Sequence, residues 1–147
     1  MRITQQQFHV AGLALRTNNR EATDTVPQHW AAFAEADVAA KLGATGDTYA
    51  VYTDHEHAGV DNRGDYTLVI GYRVPEGAAV PDGLVKVAVP ASEREAIVLE
   101  PGRRDLVAQA WQRIWERDDL DLSYLADVER YGQDGTIEIS LGLRSAP

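Results

Sequence analysis

Three side chains at alternate positions, Asp127, Glu129 and Tyr131, carry the chemistry that stands out in this chain. They lie in the run Ala-Asp-Val-Glu-Arg-Tyr, followed by a turn at 132–135 and then Thr-Ile-Glu-Ile-Ser-Leu-Gly-Leu. Alternation on both sides of a Gly-containing turn predicts an antiparallel hairpin over 126–143. Residues two apart on a strand share a face, so Asp127, Glu129 and Tyr131 point one way and Val128 the other. In the returning strand Ile137, Ile139, Leu141 and Leu143 make an apolar face, with Glu138 and Ser140 opposite. A carboxylate on a central strand is costly unless it is paired or hydrated. The reason we expect for it is a ligand.

The rest of the chain must position that hairpin. The pattern predicts a strand over 8–17, with Gly12 at a bulge or a close backbone contact. A helix over 26–42 follows, capped by Asp24 or Thr25, with Pro27 in its first turn and Gly43 at its end. Trp30, Phe33, Val38 and Leu42 share one side of it. Strands are expected over 48–54, with Tyr52, Asp54 and Glu56 sharing a face if the chain stays extended to 56, and over 65–74. Residues 75–83 hold two Pro and two Gly and read as a linker. Strands over 84–89 and 93–100 precede a helix over 103–117, in which Val107, Trp111, Ile114 and Trp115 form an apolar stripe. Set side by side, 8–74 and 84–143 have the same order: strand, helix, strand, strand. The fold expected is α+β, an antiparallel sheet carrying two helices, built from duplicated units with a cleft between the halves.

Composition narrows the function. The chain has 147 residues, enough for one domain with a substantial core. It has no Cys, which removes disulfides, thiolate catalysis and Cys-ligated metals, and agrees with a cytoplasmic location. No apolar run is long enough for a bilayer, and the first residues do not read as a signal peptide. A net charge of -9 repels phosphate backbones, so no nucleic-acid partner is expected, whereas a cationic small molecule would be attracted. The aromatic set is three Trp and six Tyr against two Phe, rich in rings with a polar tip. The segment Asp54-His55-Glu56-His57 runs into a polar loop with no third and fourth ligand in sight, so neither a metal nor another cofactor is expected. No Gly-x-Ser-x-Gly, P-loop or dinucleotide motif is present, and Ser92, Ser123, Ser140 and Ser145 show no partner pattern, so no catalytic residue is assigned.

The ordered set of Tyr49-Ala-Val-Tyr-Thr-Asp-His-Glu56, Gly64-Asp-Tyr-Thr-Leu-Val-Ile-Gly71, Trp111-Gln-Arg-Ile-Trp115 and Asp127-Val-Glu-Arg-Tyr131 resembles the GyrI-like effector-binding domains. These also occur as the ligand-sensing half of AraC- and MerR-type regulators and as stand-alone integron-cassette proteins. With the opening Ala11-Gly-Leu-Ala-Leu-Arg-Thr17, the resemblance covers nearly the whole chain. It implies a duplicated strand–helix–strand–strand fold and a pocket for hydrophobic, often cationic molecules, with aromatic walls and a buried glutamate that maps onto Glu129. Relatives that regulate genes carry a helix–turn–helix domain, which this stretch has neither the length nor the basic character to supply. Some stand-alone relatives hydrolyse cyclopropane-bearing compounds, which leaves a pocket carboxylate acting on water as the alternative.

A lipophilic cation needs contact area and a countercharge. Rings supply area and a favourable quadrupole, and a carboxylate in a low-dielectric pocket supplies the charge. The residues expected to line it are Glu129, Tyr131, Tyr52, Tyr66, Trp111 and Trp115. The bland counterpart for Glu129 is an ion pair with Arg73 or Arg113. A third class of function is an interaction module, in which the edge at 84–89 pairs with a second copy as a homodimer.

Overall fold

The computed structural model describes residues 1–144; Ser145 lies outside them. Among these residues eight strands form one antiparallel sheet: β1 (Arg2–Gln5), β2 (Phe8–Thr17), β3 (Thr48–Thr53), β4 (Tyr66–Val74), β5 (Val85–Val89), β6 (Ser92–Leu99), β7 (Leu122–Tyr131) and β8 (Ile137–Leu143). Across the sheet they run β1-β6-β8-β7-β3-β4-β2-β5. Read outward from the β7–β3 seam, the two sides match. The strand after each helical segment lies at the seam, its hairpin partner comes next, and the strand before the helix follows. The outermost strands are exchanged, β5 beside β2 and β1 beside β6. The α+β class and the antiparallel sheet expected from the pattern are thus present.

Among the described residues three helices accompany the sheet rather than two: α1 (Ala22–Ala36), α2 (Val38–Leu42) and α3 (Val107–Glu116). The first predicted helix is broken at Asp37, whose φ of 51° is left-handed and cannot continue a right-handed ladder. The break lets Val38, 1 % exposed, turn inward. That helix also starts four residues before the expected point. The side chain of Asn18 accepts hydrogen bonds from the backbone N–H groups of Arg20 and Glu21, both at 3.1 Å, and so turns the chain early. Pro27 therefore falls inside α1, where its missing N–H forfeits one ladder bond. A 3-10 turn, Arg104–Leu106, leads into α3 and replaces the first turn of the expected second helix.

Two strands differ from expectation in ways that matter for the site. β3 ends at Thr53 because Asp54 is left-handed, at φ 52°. Glu56 consequently does not share a strand face with Tyr52; its carboxylate accepts from the Asp65 N–H at 3.1 Å, tying off a loop. β7 begins at Leu122, four residues early, and its register with β8 slips between Leu122 and Asp127, with Tyr124 left-handed at φ 52°. β1 has no expectation behind it; four residues of mixed polarity give no pattern to read.

Both faces of the sheet are apolar. On one, α1 lays Val26, Trp30 and Phe33 over Ala50, Leu68 and Ile70, and α3 lays Ile114 on Ile139 and Leu141. On the other, Val10, Val51, Val69 and Val128 pack together with Phe8 and Val89. Gly12 faces Gly71 across β2 and β4. A Cβ on either would fall about 2 Å from a backbone oxygen, 2.1 Å from that of Ile70 or 1.9 Å from that of Ala11. Only glycine permits that approach.

Candidate functional site

β7 places Glu129 on the helix-covered face, in register with Ala50 of β3 on one side and Ile139 of β8 on the other. Its side chain is 2 % exposed. Three aromatic groups donate to the carboxylate. Tyr52 OH reaches Oε2 at 2.8 Å, Trp111 Nε1 reaches the same oxygen at 2.7 Å, and Tyr131 OH reaches Oε1 at 2.6 Å. An ionised carboxylate accepts at both oxygens, which is the pattern these three donors satisfy. Each donor comes from a different place: β3 across the seam, α3 above the sheet, and β7 two residues on.

Among the described residues no Arg, Lys or His nitrogen lies within 4.0 Å of the Glu129 carboxylate. The ion pair with Arg73 or Arg113 is therefore not formed; Arg73 instead stacks on Phe8. Burial pushes the Glu129 pKa up, and the bonds from Tyr131, Trp111 and Tyr52 work against that. Burial and the Glu129 charge push Tyr52 and Tyr131 well up as well, and Tyr66 to about 12, so all three remain phenols and donors.

The rings form a connected wall. Tyr52 lies 5.5 Å from Trp111 and 5.6 Å from Tyr66, centre to centre, in edge-on geometry. The Tyr66 hydroxyl donates not to Glu129 but to Asn19 Oδ1, at 3.0 Å. Trp115 stands outside Trp111, 6.2 Å away and 50 % exposed, because the helical stripe turns only Ile114 fully inward. Asp127, on the same face as Glu129, accepts from the Gly142 N–H at 3.0 Å, and burial pushes it to about 6.

Two further residues belong to this wall and escaped the sequence reading. Trp30 of α1 meets Tyr131 edge-on at 5.1 Å. The guanidinium of Arg104, an exposed residue on the 3-10 turn, sits 4.9 Å above Trp30 and 4.5 Å above Tyr131. Trp30 carries the signature of a core stripe and nothing else, and Arg104 lies in a charged run with no period. No signal in the chain separates either from its neighbours.

These rings surround the buried Glu129 carboxylate. Two hollows among the described residues lie away from Glu129. One of about 470 Å³ borders Phe8, His9 and Arg73, and one of about 340 Å³ has Arg94 in its lining. The site thus offers a buried anionic acceptor, a set of ring faces, and one cation of the chain's own resting on the outermost rings.

A family model described as "Integron-associated effector binding protein" (Cass2) matches residues 3–141. No curated protein matches the chain. Among solved structures, an integron cassette protein from Vibrio cholerae superposes with a TM-score of 0.81 at 21% identity, over 98% of this chain and 95% of that one. SAV2435, solved bound to tetraphenylphosphonium, gives 0.77 at 12% identity, over 99% and 93%. A putative transcription regulation protein from Staphylococcus aureus gives 0.73 at 11% identity, over 99% and 97%. Identities this low speak to the fold.

Proposed function

Because the chain belongs to the Cass2 family of integron-associated effector binding proteins, we propose that it binds hydrophobic cationic small molecules without altering them, with Glu129 as the countercharge. The kinship expected from the ordered motifs holds, and effector binding follows from it. The observation that carries the finer reading is a fully buried carboxylate held by three ring donors and no basic side chain. A buried unpaired carboxylate costs several kcal/mol, and a delocalised cation arriving beside it recovers part of that.

In this reading the β7–β3 seam is the junction of two repeats, 8–74 and 84–143, and the ligand settles there. Trp111 and Arg104 come from the segment that caps the rings, and Arg104 gives way. Tyr52, Tyr66 and Tyr131 then offer their faces to the cation, each worth about 0.5–2 kcal/mol. Trp111 forms the wall toward α3, and Trp115 lines the approach.

The test is a Trp-fluorescence titration with tetraphenylphosphonium, the ligand of a structural relative. Saturable quenching is expected, and Glu129→Gln, which keeps the shape and removes the charge, weakens binding at least about tenfold, or 1.4 kcal/mol. Triphenylphosphine oxide, neutral and similarly greasy, binds far less well. Equal affinity of Glu129→Gln and the parent chain for tetraphenylphosphonium would overturn the role given to Glu129.

A further inference from the structure

On the sheet face opposite Glu129 the structure holds a second group with unspent charge. Arg94 of β6 is 1 % exposed. Its Nη2 donates to the carbonyls of Ala126 and Ser140, at 2.7 and 2.9 Å, and its Nε to Ser140 Oγ at 2.6 Å. The remaining nitrogen, Nη1, carries two N–H groups and makes one long contact, 3.3 Å to Ser92 Oγ. Among the described residues no carboxylate oxygen lies within 4.0 Å of this guanidinium; Asp127, the charge it feels, sits on the other face of the sheet. A guanidinium stays charged in a protein, so a cation is buried here without a counterion.

That cation lines the hollow of about 340 Å³. Its polar end holds Arg94, Ser92 and Ser123; its apolar walls include Pro90, Leu125 and Leu143. Three of the serines that show no pattern in sequence thus converge on one arginine. Ser123 is buried, at 7 % exposure. Gly142 lets these groups lie close together: a Cβ there would stand 2.9 Å from the Ala126 carbonyl oxygen, 3.0 Å from Ser123 Oγ and 3.4 Å from Arg94 Nη1. Arg144, at the rim, adds a second positive charge that Asp121 offsets at 3.3 Å. Leu125 is 50 % exposed at the mouth, an apolar residue held out to solvent.

We propose that this hollow is a second binding site, for a small monocarboxylate with an apolar body. The carboxylate sits against Arg94 Nη1 and the hydroxyls of Ser92 and Ser123, and the body against Leu125, Pro90 and Leu143. The volume is at the lower end of ordinary small-ligand sites, and a planar acceptor with two oxygens suits an arginine better than a rounder anion does. The site is independent of Glu129 and of opposite charge preference.

The full chain is titrated with 2-naphthoate and, in parallel, with the neutral 2-naphthalenemethanol, and followed by amide chemical shifts. The acid is expected to saturate and to bind at least about tenfold tighter than the alcohol. Its shifts should centre on Gly142 and Ser123 and leave the Trp111 indole N–H unmoved. Leu125→Asp, at an exposed position that the fold does not need, should weaken the acid about fivefold or more, and Leu125→Arg should tighten it. Arg94→Gln should abolish the preference for the acid; because Arg94 ties two carbonyls and that variant can fail to fold, the Leu125 pair carries the test by itself. Equal affinity for acid and alcohol, shifts centred on Trp111, or no saturation by the acid would each overturn the proposal.

Discussion

Glu129 and Asp127 are two buried carboxylates, two residues apart, with different companions. Asp127 keeps one backbone donor and lies above its ordinary range, at about 6 against 3.8. Between those values the folded chain holds a proton that the unfolded chain has released. The group therefore favours the fold most fully below pH 4, and that contribution is lost as pH rises through 6, by about 3 kcal/mol in all. Asp127→Asn keeps the acceptor for Gly142 and removes the charge. Urea unfolding at pH 4 and pH 7 should show the variant gaining on the parent chain by about 2–3 kcal/mol at the higher pH. Glu129 is raised too, and a bound cation favours its charged form. Tetraphenylphosphonium affinity should accordingly fall on acidification through the carboxyl's pKa, with a proton released on binding below it. Calorimetry in two buffers of different ionisation heat measures that proton, and Glu129→Gln should release none.

At the scale of elements, the ring wall is assembled from parts of unequal solidity. Tyr52, Tyr66 and Tyr131 stand on sheet strands. Trp111 and Arg104 stand on α3 and the 3-10 turn before it, a segment with one fully buried side chain, Ile114. Arg104 rests on Trp30 and Tyr131, and in the binding mode proposed above it would compete with the ligand cation for the face of Tyr131. Arg104→Gln should tighten tetraphenylphosphonium binding about two- to fivefold, in line with about 0.5–1 kcal/mol for an exposed cation–ring contact. The same titration applied to Arg103→Gln, on the neighbouring side chain that pairs with Asp105, should show little change. Elsewhere the β2–β4 contact depends on two glycines. Gly71→Ala would press a methyl into the carbonyl of Ala11 and should cost about 3 kcal/mol or more, read as a lower midpoint of thermal unfolding.

For the molecule as a whole, the -9 charge works with Glu129 and against Arg94. Raising the salt from about 0.02 to 0.3 M should slow association of a cationic ligand several-fold and leave its dissociation rate nearly unchanged, measured by stopped-flow quenching. Faster association at high salt would place the cation on a different surface. The exchange of outer strands, β1 onto the second half and β5 onto the first, ties the ends of the sheet together and leaves β5 and β1 at its edges. The edge anticipated at 84–89 is thus real, with β5 paired to β2 on one side.

Period-2 alternation is a local property of the chain, so the hairpin of β7 and β8, the shared face of Asp127, Glu129 and Tyr131, and the α+β order could be read from residues alone. Helical spacing likewise marked Trp111 and Ile114, because a stripe needs no knowledge of what it packs on. The lengths of α1 and β3 could not be read, since they turn on left-handed residues at Asp37 and Asp54 that any short polar side chain tolerates. Which rings reach Glu129 was decided by strand order: β3 lies beside β7 across 77 residues of sequence, which brings Tyr52 to the carboxylate and leaves Trp115 outside. Arg104 over Trp30, and three serines around Arg94, depend in the same way on pairings between distant segments. Sequence carries each residue's preferences; contacts between remote residues exist only once the sheet has closed and burial has fixed which of them can meet.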